Sequence, residues 1–496
     1  MTMASSAVRA VQTSEPVKTY SLYIDGKWSG AADGALADDF NPATGALFAR
    51  VAQAGRADAL RAIEAAHRAR ESWARMIVSE RVAILLRVAD LIATRVDEIR
   101  EVLIEESGST FGKAMFEVFY CIDLLRSAAG DARHIFGETL PHSMSGQVGM
   151  TVRQPLGVIG GIAPFNAPFL LAMKKVALAL AAGNSFVLKP SEETPVTGLK
   201  IAELFEAAGL PPGVLNVVPG PAREVASVLI SDPRVRMITF TGSTQVGKLI
   251  AVEAAKHLKK ITLEMGGKNP LIVLRDADVD YAVRAGCFGI YFHQGQVCMA
   301  NSRIIVEAPV FDEFCEKFAA RAKTYKVGDP RDPQTVIGPL IRRTQCAFID
   351  EHVKDAVAKG ARVLTGGTHE DNFYQPTVVA GVTADMRIFS EESFGPITSI
   401  IKAGSSEEAL AIANDTSYGL AAGVITNDLQ KAMDLALRLE SGMVHINDTT
   451  VSDEPHVPFG GIKNSGFGRE GGRYSMEEMT ELKWITVQLG QRQFPF

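Results

Sequence analysis

The fold is decided by one stretch of sequence, Val158-Ile159-Gly160-Gly161-Ile162, and by the pattern that follows it. This apolar run predicts a buried strand, Leu170 to Ala182 predicts a helix, and Ser185 to Leu188 predicts the next strand. The alternation continues as far as Leu263. Strands joined by crossover helices pair in parallel, so the stretch predicts an α/β fold with a doubly wound sheet.

A second run of alternating strands and helices, from Pro270 to about Asn447, predicts a second α/β domain of similar size. On the N-terminal side, Tyr20 to Trp28 predicts a hairpin that turns at Asp25-Gly26. Three further segments have clear periodicity: Ala57 to Arg75 and Val82 to Glu105 are helical, and Met150 to Pro155 alternates like a strand.

The tail, Leu482 to Leu489, also alternates like a strand. It has no hairpin partner in the neighbouring sequence, and an unpaired strand edge has to be covered. We therefore expect this strand to pair with another subunit of a homodimer or homotetramer.

Composition excludes several classes of function. With 496 residues and 47% hydrophobic content, the chain is long enough for two to four domains. Lys and Arg number 51 and Asp and Glu 57, without a long block of either sign, so neither nucleic acid nor a membrane surface is an expected partner. The longest apolar stretch, Leu156 to Met173, is interrupted by glycine and proline, which is turn chemistry and not that of a membrane span.

Cysteine usage points to a reducing, cytoplasmic location. The five cysteines are scattered and form no C-x-x-C pair, so neither a disulfide framework nor a metal site is predicted. Met1 to Lys18 lacks the apolar core of a secretory signal.

The first candidate for chemistry is Cys298, in the stretch Phe292-His293-Gln294-Gly295-Gln296-Val297-Cys298-Met299-Ala300-Asn301. A nucleophilic thiol needs a backbone turn that exposes the sulfur and leaves nearby N–H groups free to face an oxyanion. The alternative is that Cys298 is a buried small hydrophobe, as most free cysteines are.

A carboxylate and an amide accompany this thiol. Glu264 stands just ahead of Gly266-Gly267, which suits a base that has to move between steps, although a surface glutamate at a domain boundary has the same pattern. Asn166, framed by two prolines at a predicted strand end, can donate to an oxyanion or can satisfy its own turn.

Two further segments fit a nucleotide. Around Gly242-Ser243, small residues join a strand to a helix whose first N–H groups can bind phosphate, as at any helix start. Lys189 ends a neighbouring strand and Glu192 follows it, where a ribose diol could bind. The alternative is a solvated lysine–glutamate pair.

In their order along the chain, these motifs resemble the NAD(P)-dependent aldehyde dehydrogenase superfamily, from about residue 20 to the C-terminus. The matching motifs are Pro164-Phe165-Asn166, Lys189-Pro190-Ser191-Glu192, Phe240-Thr241-Gly242-Ser243, Glu264-Met265-Gly266-Gly267-Lys268, Gly295-Gln296-Val297-Cys298, Glu392-Ser393-Phe394-Gly395-Pro396 and Pro458-Phe459-Gly460-Gly461.

The resemblance implies a role for each catalytic candidate. Cys298 would attack the aldehyde to give a thiohemiacetal, whose oxyanion Asn166 and the Cys298 N–H would hold. Loss of hydride to the nicotinamide would leave a thioester, and Glu264 would activate the water that hydrolyses it. The presence of Glu264 argues against the branch that transfers the acyl group to coenzyme A.

The resemblance also implies the cofactor site. Lys189 and Glu192 would hold the adenine ribose, and Glu392 the nicotinamide ribose. Ser243 would contact the pyrophosphate, and the remaining expected cofactor residues are Phe165, Gly242, Gly266 and Phe394. A carboxylate at position 192 would repel a 2′-phosphate, which favours NAD, with NADP still possible.

The resemblance implies that the substrate is a small-molecule aldehyde. Two departures from the family pattern bear on which aldehyde it is: Ala167 replaces a frequent aromatic residue and Lys174 a frequent tryptophan. The stretch His445 to Pro455 and the tail Glu478 to Gln488 are most similar to members acting on benzaldehyde- and vanillin-type aldehydes. Four apolar residues are expected to line the tunnel, namely Leu170, Leu171, Phe292 and Phe459. An aliphatic aldehyde or semialdehyde is the alternative substrate, and a non-catalytic binding protein on the same scaffold is the alternative class.

The family fold implies three regions. Residues 1–135 and 155–265 would form the dinucleotide-binding domain, and residues 266–465 the catalytic domain. Residues 136–154 and 480–496 would form a small β extension for oligomerisation.

Overall fold

The computed structural model describes residues 17–496. We predicted that Met1 to Lys18 contains no secretory signal. Residues 1–16 of this segment lie outside the described residues. None of the helices within residues 17–496 has the length and apolar content needed to cross a membrane.

The strands are β1 (Lys18–Tyr20), β2 (Leu22–Ile24), β3 (Lys27–Ser29), β4 (Leu36–Phe40), β5 (Leu47–Ala52), β6 (Thr139–Leu140), β7 (Gln147–Pro155), β8 (Val158–Ile162), β9 (Ser185–Lys189), β10 (Leu215–Val217), β11 (Val235–Thr241), β12 (Lys260–Glu264), β13 (Pro270–Val273), β14 (Arg303–Glu307), β15 (Arg362–Thr365), β16 (His369–Glu370), β17 (Phe373–Tyr374), β18 (Thr377–Ala380), β19 (Ile397–Ala403), β20 (Ala421–Ile425), β21 (Met443–Ile446), β22 (Gly466–Phe467) and β23 (Thr480–Gln488).

The helices are α1 (Arg56–Arg75), α2 (Val78–Thr94), α3 (Val96–Ser107), α4 (Phe111–Asp131), α5 (Pro168–Ala181), α6 (Pro195–Ala207), α7 (Ala222–Ser231), α8 (Thr244–Lys256), α9 (Val279–Tyr291), α10 (Ala308–Ala322), α11 (Arg343–Ala358), α12 (Arg387–Ser390), α13 (Ser406–Asn414), α14 (Leu429–Arg438) and α15 (Gly472–Glu478). Two short 3₁₀ helices span Phe292–Gly295 and Lys463–Ser465.

The first large sheet has the order β22-β12-β11-β8-β9-β10-β2-β3. Its central strands, β8 to β12, are parallel, with β9 and β10 on one side of β8 and β11 and β12 on the other. This arrangement confirms the doubly wound α/β prediction. Apolar side chains cover both faces of the sheet, because its crossover helices lie on both sides.

The second large sheet has the order β15-β18-β19-β14-β13-β20-β21 and is parallel except for β15. Two hydrophobic clusters cover its faces. The sequence predicted this second α/β region, although single element ends differ by a few residues.

The N-terminal region differs from its prediction in two places. The hairpin forms as expected, with Asp25 at φ 55° and Gly26 at φ 72° in the left-handed turn. The predicted helix from Val82 to Glu105, however, is two helices, because Arg95 leaves helical geometry between α2 and α3. Helix α4 was not predicted.

The C-terminal strand also needs a correction. β23 pairs antiparallel with β7 of the same chain, from Thr480 opposite Pro155 to Gln488 opposite Gln147. The prediction that another subunit supplies its partner was therefore wrong for this edge, because a strand far away in the sequence returns beside it. Within residues 17–496, β23 is the outer strand of the sheet β23-β7-β6, so its second edge carries no strand.

Candidate active site

The first group of candidate residues lies at the carboxyl edge of the first sheet. Glu264 ends β12 opposite Thr241 at the end of β11, and Lys189 ends β9 opposite Ile162 at the end of β8. Asn166 follows β8 a few residues later. Since parallel strands end at a common edge, the sheet delivers these side chains to one side of the molecule.

The second group lies at the amino edge of the second sheet. The Gly266-Gly267 segment leads into β13, and the Cys298 turn leads into β14, where Pro270 pairs with Arg303. Glu392 precedes β19 in the same way. The carboxyl edge of one sheet and the amino edge of the other thus meet through the short linker 265–269.

Close backbone approaches bring the two groups together. A Cβ on Gly266 would lie 2.1 Å from Glu392 Oε2, and a Cβ on Gly267 would lie 2.6 Å from the Cys298 carbonyl oxygen. A Cβ on Gly460 would lie 2.8 Å from Glu264 Oε1. At Gly267 a side chain would collide with the backbone of the Cys298 turn, and at Gly266 and Gly460 it would displace the carboxylates of Glu392 and Glu264.

The turn that presents Cys298 is held from several sides. After α9, His293 and Gln294 adopt left-handed backbone angles, and the Gln294 amide donates to the carbonyls of Gly108 and Pro339, each at 3.0 Å. The Asn269 amide donates to the carbonyls of Cys298 at 2.8 Å and Ala300 at 2.9 Å. The fixed turn leaves the Cys298 side chain partly exposed.

The amide of Asn166 is buried beside this turn. Its Nδ2 donates to the Gln296 carbonyl at 3.0 Å, and Lys113 Nζ donates to its own carbonyl at 2.6 Å. Helix α5 starts just after it, where the carboxylate of Glu117 accepts from the N–H groups of Phe169 and Leu170. Asn166 and Cys298 are therefore brought to one place, as predicted.

The Cys298 thiol is protonated at neutral pH in this structure. Burial raises its pKa to about 12, and the negative charges of Glu392, Glu264 and Asp453 add to the increase. A group that takes the thiol proton is therefore needed before the sulfur can attack.

Glu264 has the properties of such a group. Its side chain is buried, and within residues 17–496 no hydrogen-bond donor reaches either carboxylate oxygen. Burial raises its pKa well above the usual range, the Glu470 charge raises it further, and Lys175 and Lys174 oppose the increase. A buried carboxyl group with a raised pKa is, once ionised, a stronger base than an exposed carboxylate, as a proton acceptor for the thiol has to be.

The residues expected at the adenosine end lie along the edge of the first sheet. Lys189 is buried, and its Nζ lies 3.1 Å from the Pro190 carbonyl and 3.6 Å from Glu192. Burial lowers the pKa of Lys189. Glu192 is about half exposed and accepts from the Ala222 N–H at 2.9 Å. Both can face a ribose from this edge.

Gly242 and Ser243 form the entry to α8. Gly242 packs against Phe240 so closely that a Cβ would lie 2.5 Å from the ring. Ser243 is the N-cap, and its Oγ accepts from the Val246 N–H at 3.4 Å. The first N–H groups of α8 and the positive end of its dipole suit a pyrophosphate.

Glu392 and the two phenylalanines lie between the sheets. Glu392 Oε1 accepts from the Gly267 N–H at 3.0 Å, and burial raises the pKa of Glu392 to about 7. The Phe394 ring meets Phe165 edge to face, with centroids 5.9 Å apart. A small pocket is lined by Glu392, Phe394, Gly267 and Val297. The structure thus brings Glu392 and Phe394, both expected cofactor residues, next to Val297 of the Cys298 turn.

The four predicted tunnel residues fall in three places. Phe459 belongs to a small hydrophobic cluster against which Cys298 packs, whereas Leu170 and Leu171 are buried on α5 in the cluster of the first sheet's helices. Phe292 contacts Phe116, with ring centroids 5.6 Å apart. Helix α5 connects Leu170 and Leu171 to Phe459, because Lys174 lies one turn after Leu170 and its Nζ is 4.7 Å from the Phe459 ring centroid.

The sequence analysis missed several residues around the site. Lys113, Glu117 and Tyr120 lie on α4, the helix that was not predicted. Asn269 directly follows the Glu264 motif, so that motif could have identified it. Lys175 and Glu470 form a buried ion pair, and their separation in sequence hides the contact.

The comparisons with known proteins agree with this architecture. Residues 28–485 match the aldehyde dehydrogenase family. Vanillin dehydrogenase of Pseudomonas fluorescens is 43% identical over 480 residues, which cover 96% of this chain and 99% of that protein. Benzaldehyde dehydrogenase [NAD(+)] of Pseudomonas putida is 42% identical over 487 residues, covering 98% of this chain and all of that protein.

Solved structures agree as well. The salicylaldehyde dehydrogenase from Pseudomonas putida G7, complexed with salicylaldehyde, superposes with a TM-score of 0.95 at 40% identity, over 97% of this chain and 100% of that one.

The fold and the comparisons together define a nicotinamide-dependent oxidoreductase. The chain belongs to the aldehyde dehydrogenase family and is an NAD(P)-dependent aldehyde dehydrogenase.

Proposed function

We propose that this enzyme oxidises aromatic aldehydes of the benzaldehyde and vanillin type to the carboxylic acids. The observation that carries the proposal is the aromatic surroundings of the thiol: Cys298 packs against the cluster that contains Phe459, and Phe292, at the start of the same turn, meets Phe116 edge to face. A flat ring can pack on such side chains. The names of relatives similar over nearly their whole length, a vanillin and a benzaldehyde dehydrogenase, support the same substrate class.

In the proposed mechanism, Cys298 Sγ attacks the aldehyde carbon while Glu264 takes the thiol proton. The Asn166 amide and the Cys298 N–H donate to the resulting oxyanion. The proposal is supported by the position of Asn166 Nδ2 beside the Cys298 turn and by the raised pKa of Glu264.

The second half of the reaction needs a base again. A bound nicotinamide supplies the hydride acceptor, and the carbon attached to sulfur is then a thioester. After Glu264 has passed on the first proton, its carboxylate removes a proton from water, which attacks the thioester. The carboxylic acid leaves and the thiolate recovers a proton, so the chain returns to its starting state.

We assign the cofactor residues in the same way. Glu392 would bind the nicotinamide ribose, Ser243 and the start of α8 the pyrophosphate, and Lys189 with Glu192 the adenine ribose. Phe165, Gly242, Gly266 and Phe394 would complete the site. Because the Glu192 carboxylate would repel a 2′-phosphate, NAD is the preferred cofactor, and NADP is used less well.

The test is oxidation of benzaldehyde by the purified protein with NAD, followed by NADH absorbance. We expect turnover by the wild type and roughly a thousandfold loss or more in Cys298→Ala, because covalent capture is removed. Cys346→Ala, at a free and buried cysteine of α11, serves as the control variant. Wild-type activity in Cys298→Ala would refute the assigned nucleophile. A higher kcat/KM for an aliphatic semialdehyde than for any aromatic aldehyde would refute the substrate class.

We also propose the domain division and the assembly. Residues 1–135 and 155–265 would act as the dinucleotide-binding domain, 266–465 as the catalytic domain, and 136–154 with 480–496 as an oligomerisation segment.

The outer strand β23 supports the assignment of an oligomerisation segment. Four apolar residues of this strand and the residue that directly follows it are exposed, namely Leu482, Trp484, Ile485, Val487 and Leu489. A homodimer or homotetramer would cover them. The five free cysteines are consistent with a cytoplasmic enzyme.

A further inference from the structure

An ion pair is buried beside the aromatic side chains of the site. Lys174 Nζ donates to Asp453 Oδ2 at 2.9 Å and to Oδ1 at 3.2 Å, and the Tyr120 hydroxyl donates to Oδ2 at 2.8 Å. Lys174 Nζ also lies 3.5 Å from the Tyr120 oxygen. We call Lys174, Asp453 and Tyr120 the polar cluster.

The polar cluster faces the catalytic groups. Lys174 Nζ lies 4.7 Å from the centroid of Phe459, a member of the hydrophobic cluster against which Cys298 packs. On its other side, Tyr120 meets Phe116, with centroids 5.8 Å apart. The Asp453 charge contributes to the raised pKa of Cys298, and the Lys174 charge opposes the raised pKa of Glu264. The cluster is thus within electrostatic reach of both.

Stability alone is a weak reason to keep such a pair. Burying two charges costs desolvation free energy that their mutual attraction often fails to repay, and apolar residues of similar size would pack among these rings. The pair joins Lys174 on α5 to the loop that carries Asp453. It is not completely buried, because the Asp453 side chain is 9% exposed to solvent. A ligand can therefore approach it from the side of Asp453.

The hydrogen bonds leave specific capacity for a ligand. Asp453 Oδ2 already accepts from two donors, whereas Oδ1 accepts only the longer bond from Lys174. Oδ1 can accept one more O–H, and Lys174 can redirect the N–H of its longest bond, the one to the Tyr120 oxygen at 3.5 Å, towards the oxygen of the same group. Burial and the Asp453 charge raise the pKa of Tyr120, so its hydroxyl remains a donor. A group that both donates and accepts fits this arrangement.

We propose that the polar cluster is a specificity subsite that binds a hydroxyl substituent on the aromatic ring of the aldehyde. The phenolic O–H donates to Asp453 Oδ1 and its oxygen accepts from Lys174, while the aldehyde carbon lies at Cys298. This inference rests on the proposed function and narrows its substrate class to ring-hydroxylated benzaldehydes. A methoxy substituent accepts but cannot donate, and an unsubstituted ring does neither.

The test compares kcat/KM for 2-, 3- and 4-hydroxybenzaldehyde, 4-methoxybenzaldehyde and benzaldehyde in the wild type and in three variants. The variants are Lys174→Met, Asp453→Asn and Tyr120→Phe. For the ring position that the wild type prefers, we expect the ratio of hydroxybenzaldehyde to benzaldehyde to fall about tenfold or more in the first two variants, because each loses a charged hydrogen-bond partner. The fall is smaller in Tyr120→Phe, which supports Asp453 without contacting the hydroxyl.

The ratio separates binding from a structural role. If the pair only holds the Asp453 loop, kcat/KM falls for all substrates together and the ratio does not move, which would overturn the proposal. Lys200→Met is the matched control, because Lys200 is also buried and paired, with Glu98 and Glu203, but lies on α6. It should leave the ratio unchanged.

A binding measurement keeps the inference independent of turnover. In Cys298→Ala, which cannot capture the aldehyde, titration calorimetry gives Kd for hydroxybenzaldehyde and benzaldehyde directly. We expect the hydroxylated ring to bind at least about tenfold tighter, and adding Asp453→Asn should remove the difference. Equal Kd values would overturn the inference, whereas failure of the wild type to oxidise any benzaldehyde would overturn the proposed function.

Discussion

At the scale of single residues, Cys298 and Glu264 depend on each other. The thiol has a pKa of about 12, far above neutral, so attack requires a base. Glu264, buried without a hydrogen-bond partner among the described residues, is a carboxyl group of raised pKa that can take this proton and later one from water. Its ionised fraction increases as the pH rises through its raised pKa, because only the deprotonated form is a base.

Glu264→Gln therefore distinguishes formation of the thioester, which releases NADH, from hydrolysis of the thioester. We expect steady-state kcat to fall by about 100-fold or more, because the thioester is no longer hydrolysed. The first turnover should still release about one NADH per site, although more slowly, and an acyl adduct should be visible by mass spectrometry. Stopped-flow absorbance measures the burst.

The pH profile tests the same assignment. In the wild type, kcat should rise with pH through the raised pKa of Glu264, and this rise should disappear in Glu264→Gln. Glu478→Gln is the control, because burial also raises the pKa of Glu478. A Glu264→Gln enzyme with wild-type steady-state turnover and an unchanged pH profile would contradict the role.

Glu192 determines the cofactor preference in our proposal. Its Oε1 accepts from the Ala222 N–H, a contact that a glutamine oxygen can also make. Glu192→Gln should therefore keep the local geometry while removing the charge that repels a 2′-phosphate, and kcat/KM for NADP should rise about tenfold relative to NAD. The neighbouring Glu193→Gln, whose carboxylate pairs with Arg342, should not change the ratio. An unaltered ratio in Glu192→Gln would disprove the role.

At the scale of elements, α5 determines where the site groups stand. All of its residues are buried, and Asn166 just precedes it. Its first N–H groups are satisfied by Glu117 of α4, which also pairs with the buried Lys113. The position of α5 therefore depends on a charge pair on a neighbouring helix and not on a local cap.

Removing the Glu117 charge should destabilise this arrangement. In Glu117→Gln, the Lys113 ammonium is left buried without its counter-ion, so we expect a loss on the order of 3 kcal/mol and a lower kcat/KM, because Asn166 follows α5. The double variant Lys113→Met/Glu117→Gln removes both charges and should recover part of the stability. Thermal unfolding and NADH formation measure the two effects. Wild-type stability in the single variant would contradict this account.

At the scale of the whole molecule, the sheet β23-β7-β6 has an open edge with exposed apolar side chains. Trp484 keeps 63% of its exposure although it stacks on His142, and the outer edge of β23 has no strand within residues 17–496. An exposed apolar edge strand is a template for association, so we assign the contact between subunits to it.

The assembly can be measured by sedimentation velocity at micromolar concentration. We expect the wild type to sediment as a dimer or tetramer and Trp484→Lys/Ile485→Lys to shift towards the monomer, because charges replace buried apolar side chains at the contact. Leu437→Lys, at an apolar residue on α14 that is more exposed than either of these two, should leave the assembly intact. A monomeric wild type, or an unchanged double variant, would contradict the assignment.

The sequence by itself determined the two α/β regions and the motifs that carry Cys298, Glu264 and Asn166. Hydrophobic periodicity and glycine-rich turns are local properties, so they can be recognised along the chain. Its prediction for β23 failed, because pairing with β7 joins strands that are far apart in the sequence.

Only the tertiary structure decided how the local pieces meet. The charges of Glu470, Lys175 and Lys174 act on Glu264, which has no hydrogen-bond partner within residues 17–496. These charges, the bond from Lys113 to Asn166 and the contact of Lys174 with Asp453 and Tyr120 all join residues from separate elements. Such contacts depend on where the packed sheets and helices place their edges, and no local pattern encodes that distance. Burial then sets the pKa values, because desolvation acts on a group only after the chain has closed around it.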